Sequence, residues 1–295
     1  MSYSKSNVMI GIMALLFLSA CEGKKEEPAA PDTQSEIVEP EPAATEEVQE
    51  ETEEPQEETD EDDGSYYFNG EYVVFGKYEQ DGDLSNGPEP IEWVILEEDD
   101  EKMFLISRYI LDCHTYQPEQ EDVTWETCEL RAWLNSDFYD AAFSPAAQQR
   151  IVTTSVSTSG NEFWETDGGN DTQDKMFCLS LDEVWKYYEM QRWFDEVQIG
   201  FGGDLITDMT QYAEDNGADH YTIEQEEFER MMIYEGYDKD VIGKSGGGWW
   251  LRTPGHDADW ACIISYKGNM GWSSDSYVNF GRMGVRPAMN IEKMK

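Results

Sequence analysis

The sequence predicts an α+β domain of antiparallel sheets, with its N- and C-terminal strands paired and helices between them. Strand-like runs occupy both ends of residues 65–295, and helix-like runs occupy the middle. This order of elements is typical of α+β domains. About 230 residues suffice for one large domain with its own core, so residues 65–295 are predicted to form a single domain.

The predicted strands combine β-branched and aromatic residues with turn-forming sequences between them. Asp-Gly and Asn-Gly-Pro separate the first runs, which predicts an antiparallel meander. An alternating run, IVTTSVSTS, is predicted to be one further strand near the middle of the domain. The other predicted strand segments are residues 71–79, 90–97, 102–111, 246–255, 260–269 and 284–291.

Helices are predicted from apolar spacing and from capping residues. Within residues 129–143, apolar side chains recur every three or four positions, which indicates an amphipathic helix. Ser144 and Pro145 suit the N-cap and first position of a short helix. Ser180 with Glu183 forms a capping box in front of an aromatic-rich helix. Residues 222–236 are predicted to form a very acidic helix.

The N-terminus has the three-part layout of a secretory signal. One lysine, Lys5, precedes an apolar run from Val8 to Leu18, which is too short to span a membrane. The sequence Leu-Ser-Ala-Cys at residues 18–21 resembles the lipobox of bacterial lipoproteins. The resemblance implies cleavage after residue 20 and a diacylglycerol-modified Cys21; an ordinary signal peptide with an incidental cysteine is the alternative. Several acyl chains on one residue would anchor the chain stably to a membrane.

Residues 21–64 are predicted to be a disordered acidic tether behind the lipidated cysteine. Between residues 22 and 63 there are 19 acidic residues, two lysines and almost nothing apolar. Such a segment cannot bury enough surface to offset the entropy of ordering. The tether would hold the folded domain away from the membrane, on its extracytoplasmic side.

Charge and motif content exclude several classes of function. The chain has a net charge of −44, and residues 64–295 alone keep about −28. Phosphate backbones would be repelled, so nucleic acid is not expected as a partner. Only three histidines are present, and P-loop, HExxH, GxSxG and paired CxxC motifs are absent.

Four cysteines follow Cys21, and export would permit disulfides between them. Cys178 and Cys262 lie in apolar runs and are predicted to be small buried side chains. Cys113 and Cys128 flank a loop and are the predicted disulfide pair, although four thiols allow three pairings.

Several motifs together resemble an uncharacterised family of bacterial domains that is frequent in surface lipoproteins of gut Firmicutes. They occur in order between about Tyr72 and Ile291, and residues from about 220 to 245 depart from the pattern like an insertion. The motifs are FGKYEQDGDLSNGPEPIEWVIL, SRYILDCHTY, DVTWETCELRAWLNSDFY, TDGGNDTQDKMFCLS, WWLRTPG and GVRPA.

The last two motifs also resemble, more distantly, signatures of sulfatase-modifying (formylglycine-generating) enzymes. That resemblance implies a C-type-lectin-like fold for residues 65–295. It does not extend to the copper-binding cysteine pair of those enzymes, because Cys262 has no second cysteine nearby.

A calcium site is one interpretation of the sequence TDGGNDTQDK. Carboxylate and amide oxygens at short spacing suit Ca²⁺, although neither the EF-hand spacing nor a lectin-type calcium triplet is present. A turn, in which these side chains bond to their own backbone, is the favoured alternative. The four candidate ligands are Asp167, Asn170, Asp171 and Asp174.

The loops after Pro254 are the predicted ligand-binding region. They combine aromatic side chains with small polar residues, which is what a sugar- or peptide-binding groove needs. The candidate residues are His256, Asp257, Asp259, Trp260, Trp272 and Tyr277.

The predicted function is therefore non-catalytic binding of a glycan or an envelope protein at the cell surface. An oxidase of the formylglycine-generating type and a purely structural envelope module are the alternatives. The sequence does not identify the ligand.

Overall fold

The computed structural model describes residues 63–188, 191–194, 199–232, 241–271 and 274–294, with side chains left out for 191–194, 199–201, 227 and 230–232. The predicted signal peptide, Cys21 and nearly all of the tether lie outside these residues, as does Trp272. In the described part of the chain, no helix is long and apolar enough to cross a membrane.

Strands outnumber helices in the described residues. The strands are β1 (Tyr67–Asn69), β2 (Tyr72–Tyr78), β3 (Glu89–Glu98), β4 (Lys102–Ser107), β5 (Asp112–Cys113), β6 (Ile151–Val152), β7 (Thr154–Val156), β8 (Thr172–Asp174), β9 (Gln191–Phe194), β10 (Ile199–Phe201), β11 (Tyr221–Thr222), β12 (Ser245–Gly246), β13 (Trp249–Pro254), β14 (Trp260–Ile264), β15 (Asn269–Met270), β16 (Asp275–Tyr277), β17 (Gly284–Val285) and β18 (Ala288–Glu292). The α-helices are α1 (Glu129–Trp133), α2 (Tyr139–Ala142), α3 (Pro145–Gln148), α4 (Leu181–Tyr187), α5 (Gln211–Asp215) and α6 (Gln225–Met232).

A six-stranded antiparallel sheet joins the two ends of the domain. Its strand order is β1-β2-β3-β4-β18-β6. Strands β2, β3 and β4 form the predicted meander, to which β1 adds a strand that was not predicted. Strand β18 pairs with β4 over five residues, from Ala288 opposite Ile106 to Glu292 opposite Lys102. The pairing of N- and C-terminal strands in one sheet is thereby confirmed.

A second sheet of five strands carries the WWLRTPG motif. Its order is β16-β14-β13-β17-β5. Every residue of β13 is buried, which confirms that Trp249–Leu251 form an interior strand. A strand buried on both faces has a continuous apolar run rather than an alternating one.

The helices follow the predicted caps. Residues 129–142 form one helical segment in which α1 and α2 are joined by a π-helical turn at Leu134–Phe138. Ser144 caps α3 through the Ala147 N–H, and the Ser180–Glu183 capping box opens α4. These side chains accept hydrogen bonds from the first backbone N–H groups, which have no partner inside the helix.

Two predicted elements differ in the structure. The single strand predicted at 151–159 is two short strands, because β6 pairs with β18 while β7 pairs with β8 in a separate ribbon. The acidic helix predicted from residue 222 begins at Gln225, and residues 233–236 of the prediction lie outside the described residues. Near it, Ile223, Phe228 and Val241 form a small core of their own.

One main core connects both sheets and the helical segment, so the described residues form a mixed α+β fold with mostly antiparallel sheets. It contains Trp93 and Ile291 from the first sheet, Trp249 and Ile264 from the second, and Leu134 from the helical segment. Buried indoles keep hydrogen-bond partners, as in the bond from Trp93 Nε1 to the Phe75 carbonyl oxygen at 2.7 Å.

Arg252 in β13 connects separate segments of the chain through hydrogen bonds. Its side chain is 3% exposed, and it donates two hydrogen bonds to the Glu183 carboxylate, at 2.5 and 2.9 Å. Its other hydrogen bonds go to the carbonyl oxygens of Cys178 and Ser157. The planar guanidinium group matches a carboxylate in this two-bond geometry, which an ammonium group would not.

We expect Arg252→Met to lower the free energy of unfolding by about 3 kcal/mol, because it leaves Glu183 and two carbonyl groups without their donor. Urea unfolding followed by tryptophan fluorescence measures the change. Arg108→Met is the matched control, since the Arg108–Glu92 pair is partly exposed and should contribute about 1 kcal/mol or less. Equal losses in the two variants would contradict the central role of Arg252.

Candidate functional site

The candidate site is built on the hairpin of β13 and β14 and on the neighbouring strand β16. Trp260 in β14 lies directly opposite Tyr277 in β16, and their ring centroids are 3.8 Å apart. The connection from β13 to β14 turns tightly, with the Gly255 N–H bonded to the Trp260 carbonyl oxygen at 2.7 Å. Residues 255–259 therefore project from the end of a buried hairpin.

Asp275 holds the exposed His256 in place. One carboxylate oxygen of Asp275 accepts hydrogen bonds from the backbone N–H of His256 at 2.6 Å and from its ring Nδ1 at 2.8 Å. Only 6% of the Asp275 side chain is exposed. The fixed imidazole lies 4.2 Å from the Trp260 ring, centroid to centroid, and so extends the aromatic surface.

A second loop adds two exposed aromatic rings. Asn161 and Thr166 bond to each other through their backbones and close a turn that presents Phe163 and Trp164. The buried Asn161 amide donates to the Pro254 carbonyl oxygen at 3.1 Å, and its Oδ1 accepts from the Trp164 N–H at 3.2 Å. One asparagine thus ties this turn to the end of β13.

Together these side chains form a continuous series of surface rings, here called the aromatic row, in which Trp260 is half-buried and the other rings are exposed. Neighbouring centroids are separated by 4.8, 5.8, 4.2 and 3.8 Å along the line. Phe163, Trp164 and Tyr277 are 50, 42 and 44% exposed. Rings exposed to this extent are available to a ligand rather than committed to the core. The row consists of Phe163, Trp164, His256, Trp260 and Tyr277.

The sequence located three of the five rings of this row. His256, Trp260 and Tyr277 were predicted, and the predicted Asp257 and Asp259 lie in the loop between them. The Asp259 carboxylate accepts a hydrogen bond from the Gln120 side chain at 2.7 Å.

Phe163 and Trp164 were missed by the sequence analysis. Their signal is the one used after Pro254, adjacent aromatic residues among acidic residues and glycines in NEFWETDGG. The sequence does not show the hydrogen bond between Asn161 and Pro254, which places these two rings next to His256.

The calcium interpretation does not fit the structure. Asp174 is buried and accepts hydrogen bonds from Arg131, Trp125 and Thr172, so its two carboxylate oxygens are already engaged. Asp167 accepts from the Gly169 N–H in the favoured turn conformation.

The other two candidate ligands do not restore a calcium site. Asn170 donates to the Glu126 carboxylate. Asp171 lies exposed between Asn170 and β8.

A different acidic group comes closer to a metal-binding arrangement in the described residues. Oxygens of Glu79, Asp81 and Glu89 lie within 4.8 Å of one another. Each of these carboxylates accepts a hydrogen bond within the same loop, from Gly82, Asn86 and Gln80 respectively. These hydrogen bonds stabilise the loop and explain why the three carboxylates lie close together.

A cavity of about 430 Å³ lies beside β7 and α4. Its lining includes Arg252 and Glu183, which are bonded to each other, and Glu97, which is bonded to Lys186 and Tyr187. These charged groups already have partners, so the cavity is a weaker candidate for ligand binding than the aromatic row.

The four described cysteines, Cys113, Cys128, Cys178 and Cys262, are all free thiols. The predicted Cys113–Cys128 disulfide is therefore absent. Cys128 instead caps α1, with its sulfur accepting from the Arg131 N–H, while the Cys113 sulfur donates to the Gly281 carbonyl oxygen.

Cys262 is not arranged as a nucleophile. It is fully buried and its thiol donates to the Pro254 carbonyl oxygen at 3.2 Å. Burial, and then the charge of Asp275, hold the pKa of this thiol well above its ordinary value. A reactive cysteine needs the opposite, a lowered pKa and access to solvent.

The chain was compared with known proteins and families. Residues 100–293 match the family DUF6273, described as a domain of unknown function. This chain belongs to that family. The matched region begins just before β4 and contains Arg252 and the whole aromatic row. No curated protein and no solved structure matches the chain.

We expect iodoacetamide at about pH 8 to leave Cys128, Cys178 and Cys262 unmodified in the folded protein. Burial raises the pKa of Cys113 to about 11 and that of Cys128 to about 12, so little thiolate forms at this pH. Unfolding in guanidinium should return each pKa to about 8.5 and expose every thiol to the reagent. Peptide mass spectrometry measures the labelling, and a disulfide-linked Cys113–Cys128 peptide would contradict the expectation.

Proposed function

We propose that this protein binds a saccharide at the cell surface through the aromatic row. The observation that carries the proposal is the row itself, four exposed rings and the half-buried Trp260 in contact with one another and held by buried polar side chains. Asp275 fixes His256, and Asn161 fixes the turn that bears Trp164. A preorganised surface loses less entropy on binding than a mobile loop would.

The chemistry of the row suits a sugar. The apolar C–H face of a sugar ring can stack on an aromatic face, while its hydroxyl groups bond to nearby polar side chains. Between His256 and Trp260, Asp257 supplies an exposed acceptor and Asp259 a half-buried one.

The proposal includes a C-type-lectin-like fold for the domain. It rests on the resemblance of WWLRTPG and GVRPA to the formylglycine-generating signatures. The mixed α+β architecture and the pairing of β4 with β18 are compatible with it.

The same resemblance would allow an oxidase, and one contact argues against that function. The thiol of Cys262 bonds to the Pro254 carbonyl oxygen inside the hairpin, away from solvent. Binding is therefore the better supported function, and a structural role remains the outcome if no ligand is found.

The proposed setting is the extracytoplasmic face of a membrane. Residues 1–20 would be the signal peptide, Cys21 the lipid-bearing residue and residues 21–64 the acidic tether. These assignments rest on the sequence alone.

We expect Trp260→Ala and Tyr277→Ala each to weaken saccharide binding about tenfold, since a stacked ring contributes roughly 1–1.5 kcal/mol beyond its buried area. The protein is first screened on a glycan array, with and without calcium, and calorimetry then measures each variant with the best ligand. Tyr67→Ala is the control, because Tyr67 is also exposed, at 58%, but lies in the first sheet. If no glycan binds in either condition, the proposed function fails.

We expect Cys21→Ser to release the protein from the membrane, because the diacylglycerol group is attached through a thioether bond that a serine hydroxyl cannot form. Membrane fractionation and metabolic labelling with palmitate measure the effect in the producing cell. Cys113→Ser is the matched control and should stay membrane-bound and labelled. Labelling that persists in Cys21→Ser would contradict the assignment.

A further inference from the structure

The segments that form and border the aromatic row carry charge of one sign. They are residues 117–123, 161–167, 255–261 and 274–280, and together they hold nine acidic residues and no lysine or arginine. The first segment borders the row through hydrogen bonds from Gln120 to Asp259 and from the Val123 N–H to the Ala258 carbonyl oxygen.

Many of these carboxylates are exposed beside the rings. Glu162 and Glu165 flank Phe163 and Trp164 in the turn, and Asp257 follows His256. The surface thus places negative charge next to the faces of aromatic rings. Both features attract cations, the carboxylates through their charge and the rings through their quadrupoles.

We propose that the ligand of the aromatic row is a saccharide with free, protonated amino groups. This inference rests on the proposed saccharide-binding function and specifies its ligand class. An uncharged sugar would use the rings alone, whereas an amino sugar would also pair its ammonium groups with Glu162, Glu165 and Asp257. An anionic sugar would be repelled by the same carboxylates.

A matched pair of ligands tests the inference. The β-1,4-linked trimers of glucosamine and N-acetylglucosamine share one backbone and differ in charge. At about pH 6 the carboxylates are ionised and the amines are protonated. Calorimetry on the full chain should show about tenfold tighter binding of the glucosamine trimer, and added salt should reduce the difference.

Two triple variants separate the local charges from the general charge of the chain. Glu162→Gln with Glu165→Gln and Asp257→Asn should reduce the preference for the glucosamine trimer about tenfold. Because none of these changes removes a ring, binding of the acetylated trimer should persist in this variant. Circular dichroism and urea unfolding check that each variant is folded.

The control triple variant removes the same number of charges from exposed positions in other elements. It combines Asp100→Asn with Glu101→Gln and Asp137→Asn. It should keep the preference for the glucosamine trimer, so that attraction to the acidic chain as a whole is separated from recognition at the row.

Three outcomes would overturn the inference. Equal or tighter binding of the acetylated trimer would overturn it while leaving saccharide binding in place. Undiminished binding of the glucosamine trimer to Trp260→Ala and Tyr277→Ala would show attraction to the acidic chain rather than to the row. Binding of oligolysine without binding of either trimer would replace the saccharide with a basic peptide.

Discussion

The ion pair between Arg252 and Glu183 is the interaction on which the rest of the structure depends. It lies in the buried strand β13 and joins that strand to the first turn of α4 and to the backbone at Ser157 and Cys178. Glu183 serves two purposes, since it also accepts the Ser180 N–H in the capping box. The Glu183 carboxylate thus stabilises both the start of α4 and the position of β13.

The arginine of the second motif, GVRPA, has a comparable role. Arg286 is buried and donates to the Ser107 carbonyl oxygen at 2.8 Å, with its guanidinium group 5.2 Å from the Trp249 ring. The two arginines thus connect the second sheet to its surroundings. Because a buried charge is costly unless it is fully bonded, these positions constrain their neighbours strongly.

The geometry of the aromatic row also depends on strand β13. Where β13 ends, the Pro254 carbonyl oxygen accepts hydrogen bonds from Asn161 and Cys262. Gly255 follows at a point where a Cβ atom would lie 2.6 Å from that of Trp260, so only glycine fits there without rearrangement. The core therefore sets the position of these loops. The side chains of the aromatic row, which the loops carry, are not part of the core.

By itself the sequence determined the longer strands of both sheets (β2, β3, β4, β13, β14 and β18), the helix caps at Ser144 and Ser180, the burial of Cys262 and the aromatic character of the region after Pro254. These are local properties, set by spacing, turn residues and capping side chains. Only the tertiary structure decided what depends on distant contacts. Asn161 places Trp164 next to His256, which lies 92 positions later in the chain. Arg131 forms a hydrogen bond with Asp174, so this carboxylate is already engaged and does not suit calcium. The predicted partner of Cys128 is likewise engaged at a distance, because the Cys113 thiol bonds to the Gly281 carbonyl oxygen and both cysteines are free thiols.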